Sequence, residues 1–293
     1  MNLWNDRFWY PMLLKEVSKP FDDDNYLYEI KFDGTRAIIF ASNNNVTIIN
    51  RHGKDVTYLY PELQKIKEIV KRKTIFDGEI VLFKNNIPSF NDLQERAHLK
   101  DKVKIKNQSI SNPVVFICFD ILYDNKNLTD IPLIKRKEML DKYRENDVFI
   151  KSFYKIKEGI NLFKETTKLS LEGIVAKKVD SPYIINKRSD YWLKIKNLKE
   201  EEFFIGGYIV NKNNVSFLLG ELRKNKFFYV GKVSMAKKYD FVNKVLSSKS
   251  VNLSPFINFN AGNVIYIKPN YKIKVKYLER TENNHLRQPF ISK

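Results

Sequence analysis

YEIKFDGTR, residues 28–36, is the stretch on which the fold of this chain turns. In an extended chain, successive side chains point to opposite faces. Tyr28, Ile30 and Phe32 then share one face, and Glu29, Lys31 and Asp33 share the other. The apolar face predicts a strand backed by a core. Two carboxylates around an amine make a poor core and a plausible site. Gly34 follows, where the missing side chain permits a tight turn or the close approach of a ligand. One lysine on such a face is ordinarily just solvated; the block as a whole points to chemistry.

Working outward, further strands are predicted at 36–40, 46–50, 75–83, 114–122 and 172–178, with 26–32 holding the opening block. Pro61 suits the first position of a helix, with Leu63, Ile66, Ile69 and Val70 as its apolar stripe. Pro132 opens another, with Ile134, Leu140 and Tyr143 facing inward. Strands followed irregularly by helices fit an α+β domain. After Lys196–Glu202 the text changes to short alternating runs: FFIGGYIV, VSFLLGEL, KFFYVGKV, NVIYIKP and YKIKVKYLE. Such runs predict a small β-barrel or sandwich. One helix interrupts it, with Phe241, Val242, Val245 and Leu246 on one face. A length of 293 residues with 43% apolar content suits about two domains, drawn here as 1–201 and 202–293.

The net charge of +18 favours a polyanionic partner. Its distribution sharpens this: residues 202–293 hold 16 Lys and Arg against 5 Asp and Glu, and the remaining 201 residues hold 36 against 29. In YKIKVKY, Lys272, Lys274 and Lys276 share one strand face over apolar Tyr271, Ile273, Val275 and Tyr277. That is a surface suited to phosphates. Cys118 is the only cysteine, which excludes an internal disulfide and a cysteine zinc site. The N-terminus lacks the layout of a signal peptide, and no apolar run is long enough to span a membrane. A cytoplasmic, nucleoid-associated monomer is expected.

Other charged strands extend the site. YWLKIKN puts Leu193 and Ile195 on one side and Trp192, Lys194 and Lys196 on the other, and two amines so close call for anions such as phosphate. FDGEIVLF presents Asp77 and Glu79 together. VFICFDIL ends its apolar run at Asp120. LEGIVAKK begins at Glu172 and ends in Lys177 and Lys178. Carboxylates of this kind hold a divalent metal or a ribose where they line a cleft, and are plain surface charge where they do not.

In order along the chain stand Lys31-Phe-Asp33-Gly34-Thr-Arg36, Arg51-His-Gly53, Asp77-Gly-Glu79, Phe116-Ile-Cys-Phe119-Asp120, Glu172-Gly-Ile-Val-Ala-Lys177 and Trp192-Leu-Lys194-Ile-Lys196. This series resembles the covalent nucleotidyltransferases, the superfamily of ATP-dependent DNA ligases and mRNA capping enzymes. PELQKI, PSFNDLQERA, PLIKRKEML, NKRSDYWLKIK, FIGGYIV and FYVGKV narrow the resemblance to the ligase domain of the bacterial ligase D class, from about Pro11 to Phe290. The resemblance implies an adenylation domain followed by an OB-fold. It implies ATP as co-substrate, Mg2+ or Mn2+, and nicked or broken duplex DNA as substrate in repair by end joining, with a Ku-type end-binding protein as partner. Lys31 is then the nucleophile that carries AMP, and Asp33 activates it or orients the leaving group. Glu29, Arg36, Arg51, Glu79, Phe119, Arg188, Lys194 and Lys196 hold the nucleotide, with Phe119 on the base and Glu79 on the ribose. Glu172 is the metal candidate. The chain departs from the family at its end: Arg287-Gln-Pro-Phe290 starts the usual closing segment, but the Arg-x-Asp-Lys tail is missing. Arg287 is therefore the candidate for orienting pyrophosphate, and Arg280 the second.

Two other classes fit parts of the pattern. An RNA ligase or capping guanylyltransferase shares the lysine chemistry and differs in substrate. A catalytically dead DNA-binding protein would keep the basic barrel but has no reason to keep Lys31, Glu172, Lys194 and Lys196 together.

Overall fold

The structure is a computed structural model, and it describes residues 3–7 and 10–292. It divides into two compact units, Met1–Asn197 and Leu198–Lys293. The first unit carries two sheets. One runs in the order Leu13–Glu16, Arg188–Lys196, Gly173–Lys178, Tyr26–Ile30, Tyr154–Ile156. The other runs Val46–Asn50, Thr35–Ala41, Thr74–Lys84, Val114–Asp124, Phe149–Lys151, with Ile87–Pro88 beside Thr74–Lys84.

Period-two alternation explains how one set of strands builds both core and site. On Thr35–Ala41, Ala37, Ile39 and Ala41 join a cluster with Phe76, Ile80 and Phe116. Leu63, Ile66, Leu93 and Ile105, from the short helices, cover that cluster. Ile38 and Phe40 point the other way, into a cluster with Met12, Leu27, Leu122 and Trp192 that draws on both sheets. Arg36 shares the parity of Ile38 and Phe40, and Asp77 and Glu79 that of Ile75, so these charges face the same inter-sheet space. On the first sheet, Tyr28, Ile174, Leu193 and Ile195 face outward and pack on Leu162 of the helix Gly159–Lys168. Leu27 and Glu29 are left facing inward.

Two expectations change in form. The segment opened by Pro61 is a 3-10 helix, Pro61–Glu68, rather than an α-helix, although Leu63 and Ile66 are fully buried as the stripe requires. The segment after Pro132 forms the helix Leu133–Leu140, but its inward residues are Leu133, Arg136, Lys137 and Leu140; Ile134 is half-buried.

The second unit is a six-stranded antiparallel sheet in the order Lys226–Ala236, Asn214–Arg223, Lys199–Val210, Ile265–Tyr277, Ser250–Val251, with Phe290–Ile291 also on Ile265–Tyr277. Phe203, Ile205, Phe217, Val230, Ile273 and Val275 form its core. Val242 and Val245 of the helix Asp240–Leu246 close it. The two runs NVIYIKP and YKIKVKYLE form one bent strand. Its register against Lys199–Val210 jumps from Tyr271 opposite Ile205 to Tyr266 opposite Gly207, so Pro269 falls in the bulge, where no ladder donor is needed.

Candidate active site

Lys31 follows directly on the Tyr26–Ile30 strand, and its backbone N–H donates to the Gly173 carbonyl at 2.9 Å. Its ammonium lies 2.7 Å from Glu172 Oε2, with the two side chains 19% and 5% exposed. Two glycines next in sequence to this region pack too closely on neighbouring strands to carry a side chain. A Cβ on Gly34 would collide with the Ile80 carbonyl oxygen. Gly173 has φ +139° and packs against the Ile195 carbonyl, so an L side chain there would be strained and blocked.

Arg36 is held as a fork: Nε and Nη2 donate to the two oxygens of Asp77 at 3.0 and 2.6 Å, and Nη1 donates to the Met12 carbonyl at 2.6 Å. Tyr183 Oη donates to Asp77 at 2.7 Å and accepts from the Met12 N–H at 3.0 Å. The guanidinium carbon sits 5.3 Å from the Phe119 ring centroid, and Phe119 meets Trp192 edge-on at 6.1 Å. Beneath them Glu29, 2% exposed, receives Lys137 on one oxygen and Lys177 on the other, the latter at 2.7 Å. Lys177 Nζ also lies 4.0 Å from the Phe119 centroid and 4.2 Å from that of Trp192.

A small cavity of about 50 Å³ is lined by Leu14, Glu29, Ile30, Lys31, Phe32, Arg36, Glu79, Phe119, Val175, Lys177 and Trp192. Glu29, Lys31, Arg36, Glu79 and Phe119, singled out in the sequence, thus meet in one place. Burial pushes the Glu79 carboxyl up to about 8, against the pull of Lys31 and Arg36. Burial likewise drives the Lys177 amine down to about 8, against the pull of Glu29. Among the described residues no group of three or more His, Cys, Asp or Glu side chains could hold a metal by itself. The Glu172 carboxylate fits a hard cation that takes the rest of its shell from phosphate oxygens and water. An amine beside a carboxylate, an aromatic plate and clustered cations suit the binding of a nucleotide and attack on its phosphate.

Comparison with known proteins identifies the family. A family profile described as ATP dependent DNA ligase domain matches residues 11–196. The chain is 35% identical over 213 residues to the SPbeta prophage-derived DNA ligase-like protein LigB of Bacillus subtilis, spanning 71% of this chain and 74% of that one. This chain belongs to the ATP-dependent DNA ligases. It is also 29% identical over 295 residues to the multifunctional non-homologous end joining protein LigD of Mycolicibacterium smegmatis, covering 95% of this chain but only 37% of LigD. The solved structure of mycobacterial DNA ligase D complexed with ATP and MES superposes with a TM-score of 0.61 at 25% identity, covering 99% of this chain and 95% of that one.

Other sequence-selected residues of this ligase lie apart from the cavity lining. Arg51 is exposed on the turn after Val46–Asn50 and donates to His52 Nε2 at 3.0 Å. Arg188 donates to the Leu14 carbonyl from an exposed strand end. Lys194 pairs with Glu16 at 3.1 Å. Lys196 has its pKa lowered by burial and by Lys194, with Glu172 and Lys31 within electrostatic reach. Asp33 is half-buried next to Gly34. In the second unit Arg287 donates to Glu279 at 2.9 Å, and Arg280 bridges Glu201 and Glu221 at 2.9 Å each. Lys274 and Lys276 share Glu200 at 3.1 and 3.4 Å, and Lys272 lies 4.8 Å from the Phe204 ring centroid.

The sequence reading gave no role to the buried cations Arg136, Lys137 and Lys177. Arg136 is fully buried and grips Asp120 through Nε and Nη2, each at 2.8 Å, so Asp120 is neither a strand-end surface charge nor a cleft carboxylate. Lys137 and Lys177 are 1% and 2% exposed. An apolar-stripe search cannot find a buried cation, but a charged pair inside PLIKRKEML, facing acids that end apolar strands, is the signal that was available.

Proposed function

We propose that this ligase joins 5′-phosphate and 3′-hydroxyl ends in duplex DNA through an AMP adduct on Lys31. The observation that carries it is the Lys31 amine, 2.7 Å from Glu172, at a cavity that also has Arg36, Glu79, Phe119 and Lys177 in its lining. Lys31 Nζ attacks the α-phosphate of ATP and the bond to pyrophosphate breaks. AMP then passes to a DNA 5′-phosphate, and a 3′-hydroxyl displaces it. Covalent catalysis divides one hard condensation into easier transfers.

Phe119 offers the base a stacking face, Glu29 supports it largely through the backbone, and Glu79 takes a ribose hydroxyl. Arg36 orients through its clamp on Asp77, while Lys194 and Lys196 meet the α-phosphate, with Arg51 and Arg188 at the periphery. Asp33 serves the nucleophile or the leaving group, and Arg287 the pyrophosphate. Glu172 is the residue that would hold Mg2+ or Mn2+, which neutralises phosphate charge when bound. The second unit is read as an OB-fold domain gripping DNA through Lys272, Lys274 and Lys276. Its edge is best drawn ahead of the Lys199–Val210 strand rather than at 201, because a ladder strand does not straddle two domains. End joining is the setting that the names of the LigD relatives support, and the same reading places the chain in the cytoplasm with a Ku-type end-binding partner.

The test is sealing of nicked duplexes. ATP with nicked DNA should give full-length product, and GTP, or an all-RNA nick, should give little. Preferential sealing of RNA, or labelling by GTP, overturns the proposal.

A further inference from the structure

A second, larger concavity of about 860 Å³ lies in the first unit, between the Pro61–Glu68 helix and the helix Lys102–Ser111. Its lining shares no residue with that of the Lys31 cavity. Lys102, Ile105, Lys106, Ser109 and Ile110 line it, the i, i+3, i+4, i+7, i+8 stripe of one helix face. On a surface helix that stripe normally packs on the core. Here Ile105 does so at 4% exposure, while Ile110 stands 74% exposed; Tyr58, also in the lining, is 64% exposed. Pro61, Pro113 and Val148 extend the apolar lining. Single exposed apolar side chains need no explanation, but several lining one concavity mark an interaction site.

The charges around it are unbalanced. Both acids in the lining are already taken. Glu62 holds Arg96 at 2.5 Å and the Val114 N–H at 3.0 Å, and Asp147 pairs with Lys65 at 2.5 Å. The helix sequence KVKIKNQSIS contains no acid. Among the described residues, Lys102 and Lys106 have no ion-pair partner.

We propose that this cleft docks a segment of a protein partner whose large apolar side chains are flanked by carboxylates. Lys102 and Lys106 are four residues apart, about 6 Å along the helix axis. The matching carboxylates then stand at i and i+4 of a helix or at i and i+2 of a strand. Burial of the partner's apolar groups supplies affinity, and the lysines supply orientation and encounter rate. Duplex DNA would satisfy the two amines but leave Tyr58, Ile110 and Pro113 against water, so the apolar lining favours a peptide.

The experiment selects binders to the whole chain from a displayed library of random peptides about twelve residues long. Counter-selection uses the Lys102→Glu, Lys106→Glu, Ile110→Ser variant, in which all three positions are exposed and the fold should persist. Recovered peptides should carry Asp or Glu beside Leu, Ile, Phe or Trp. By fluorescence anisotropy they should bind at micromolar Kd, about tenfold or more weaker on the triple variant and measurably weaker on Ile110→Ser alone, and more tightly at low salt. Sealing of nicked DNA by the triple variant should be unchanged. No binders, peptides without that acidic and apolar bias, or peptides indifferent to the variants would overturn the proposal. So would a loss of nicked-duplex affinity in the triple variant with peptide binding intact, which would make the lysines DNA-binding groups.

Discussion

The buried cations of the first unit and the exposed ones of the Ile265–Tyr277 strand are used in opposite ways. In the first unit, Arg36, Arg136, Lys137 and Lys177 are buried or nearly so, each against a named carboxylate. On the strand, Lys274 and Lys276 share one acid, Glu200, and remain 59% and 37% exposed. A buried cation that loses its partner leaves an uncompensated charge, so its position is fixed and its removal is felt locally. An exposed cation acts through its charge alone and is screened by salt. The first arrangement suits the orientation of a small reactant, the second a long polyanion met in many registers.

The comparison breaks most easily at Arg136. Arg136→Met should cost about 3–5 kcal/mol in urea denaturation by stranding Asp120, whereas Lys65→Met, which opens an exposed pair with Asp147, should cost under about 1 kcal/mol. Equal costs would erase the distinction. Glu172→Ala should slow formation of the lysine adduct by on the order of 10²–10³, with little change in melting temperature. A collapse in melting temperature instead would make Glu172 structural. The strand lysines should show a smaller, graded effect. Replacing Lys272, Lys274 and Lys276 with Ala should weaken nicked-duplex binding and flatten its salt dependence, by about 0.9 in log–log slope for each phosphate no longer neutralised. Adduct formation should stay intact, and an unchanged slope would place the duplex elsewhere.

The buried side of the comparison also carries a pH dependence. Glu79, pushed up to about 8 by burial, keeps its proton in the folded chain where the unfolded chain, titrating near 4.5, has lost it. The folded state then binds more protons between those values, so stability falls as pH rises through that window. The melting temperature of the parent relative to Glu79→Gln should therefore decline from about pH 5 to about pH 8. Parallel curves would contradict the shift.

The strands and the heart of the site were legible because alternation places both. Once Tyr28 and Ile30 are assigned to a packed face, Glu29 and Lys31 must lie opposite, and the same logic carried Asp77 and Glu79, while Arg36 came from the motif it closes. The helix after Pro132 was not legible in the same way. Periodicity assigned Ile134 inward, but Arg136 and Lys137 take inward positions because Asp120 and Glu29 meet them there. Glu29 is 108 residues away in sequence, a distance no local pattern spans. The bent strand was also missed, because Pro269 reads as a terminator until a bulge removes the need for its N–H. Arg51 and Arg188 show the reverse limit: motif membership alone did not bring them into the cavity lining.

The claim that Lys31 is the nucleophile has one direct test. The purified chain and Lys31→Ala should be incubated with ATP and magnesium, weighed as intact proteins, and digested to locate any adduct. The parent should gain one AMP on the peptide containing Lys31, removable by pyrophosphate, and the variant should gain none. An adduct of equal yield on the variant, or one located on another residue of the parent, would contradict the assignment.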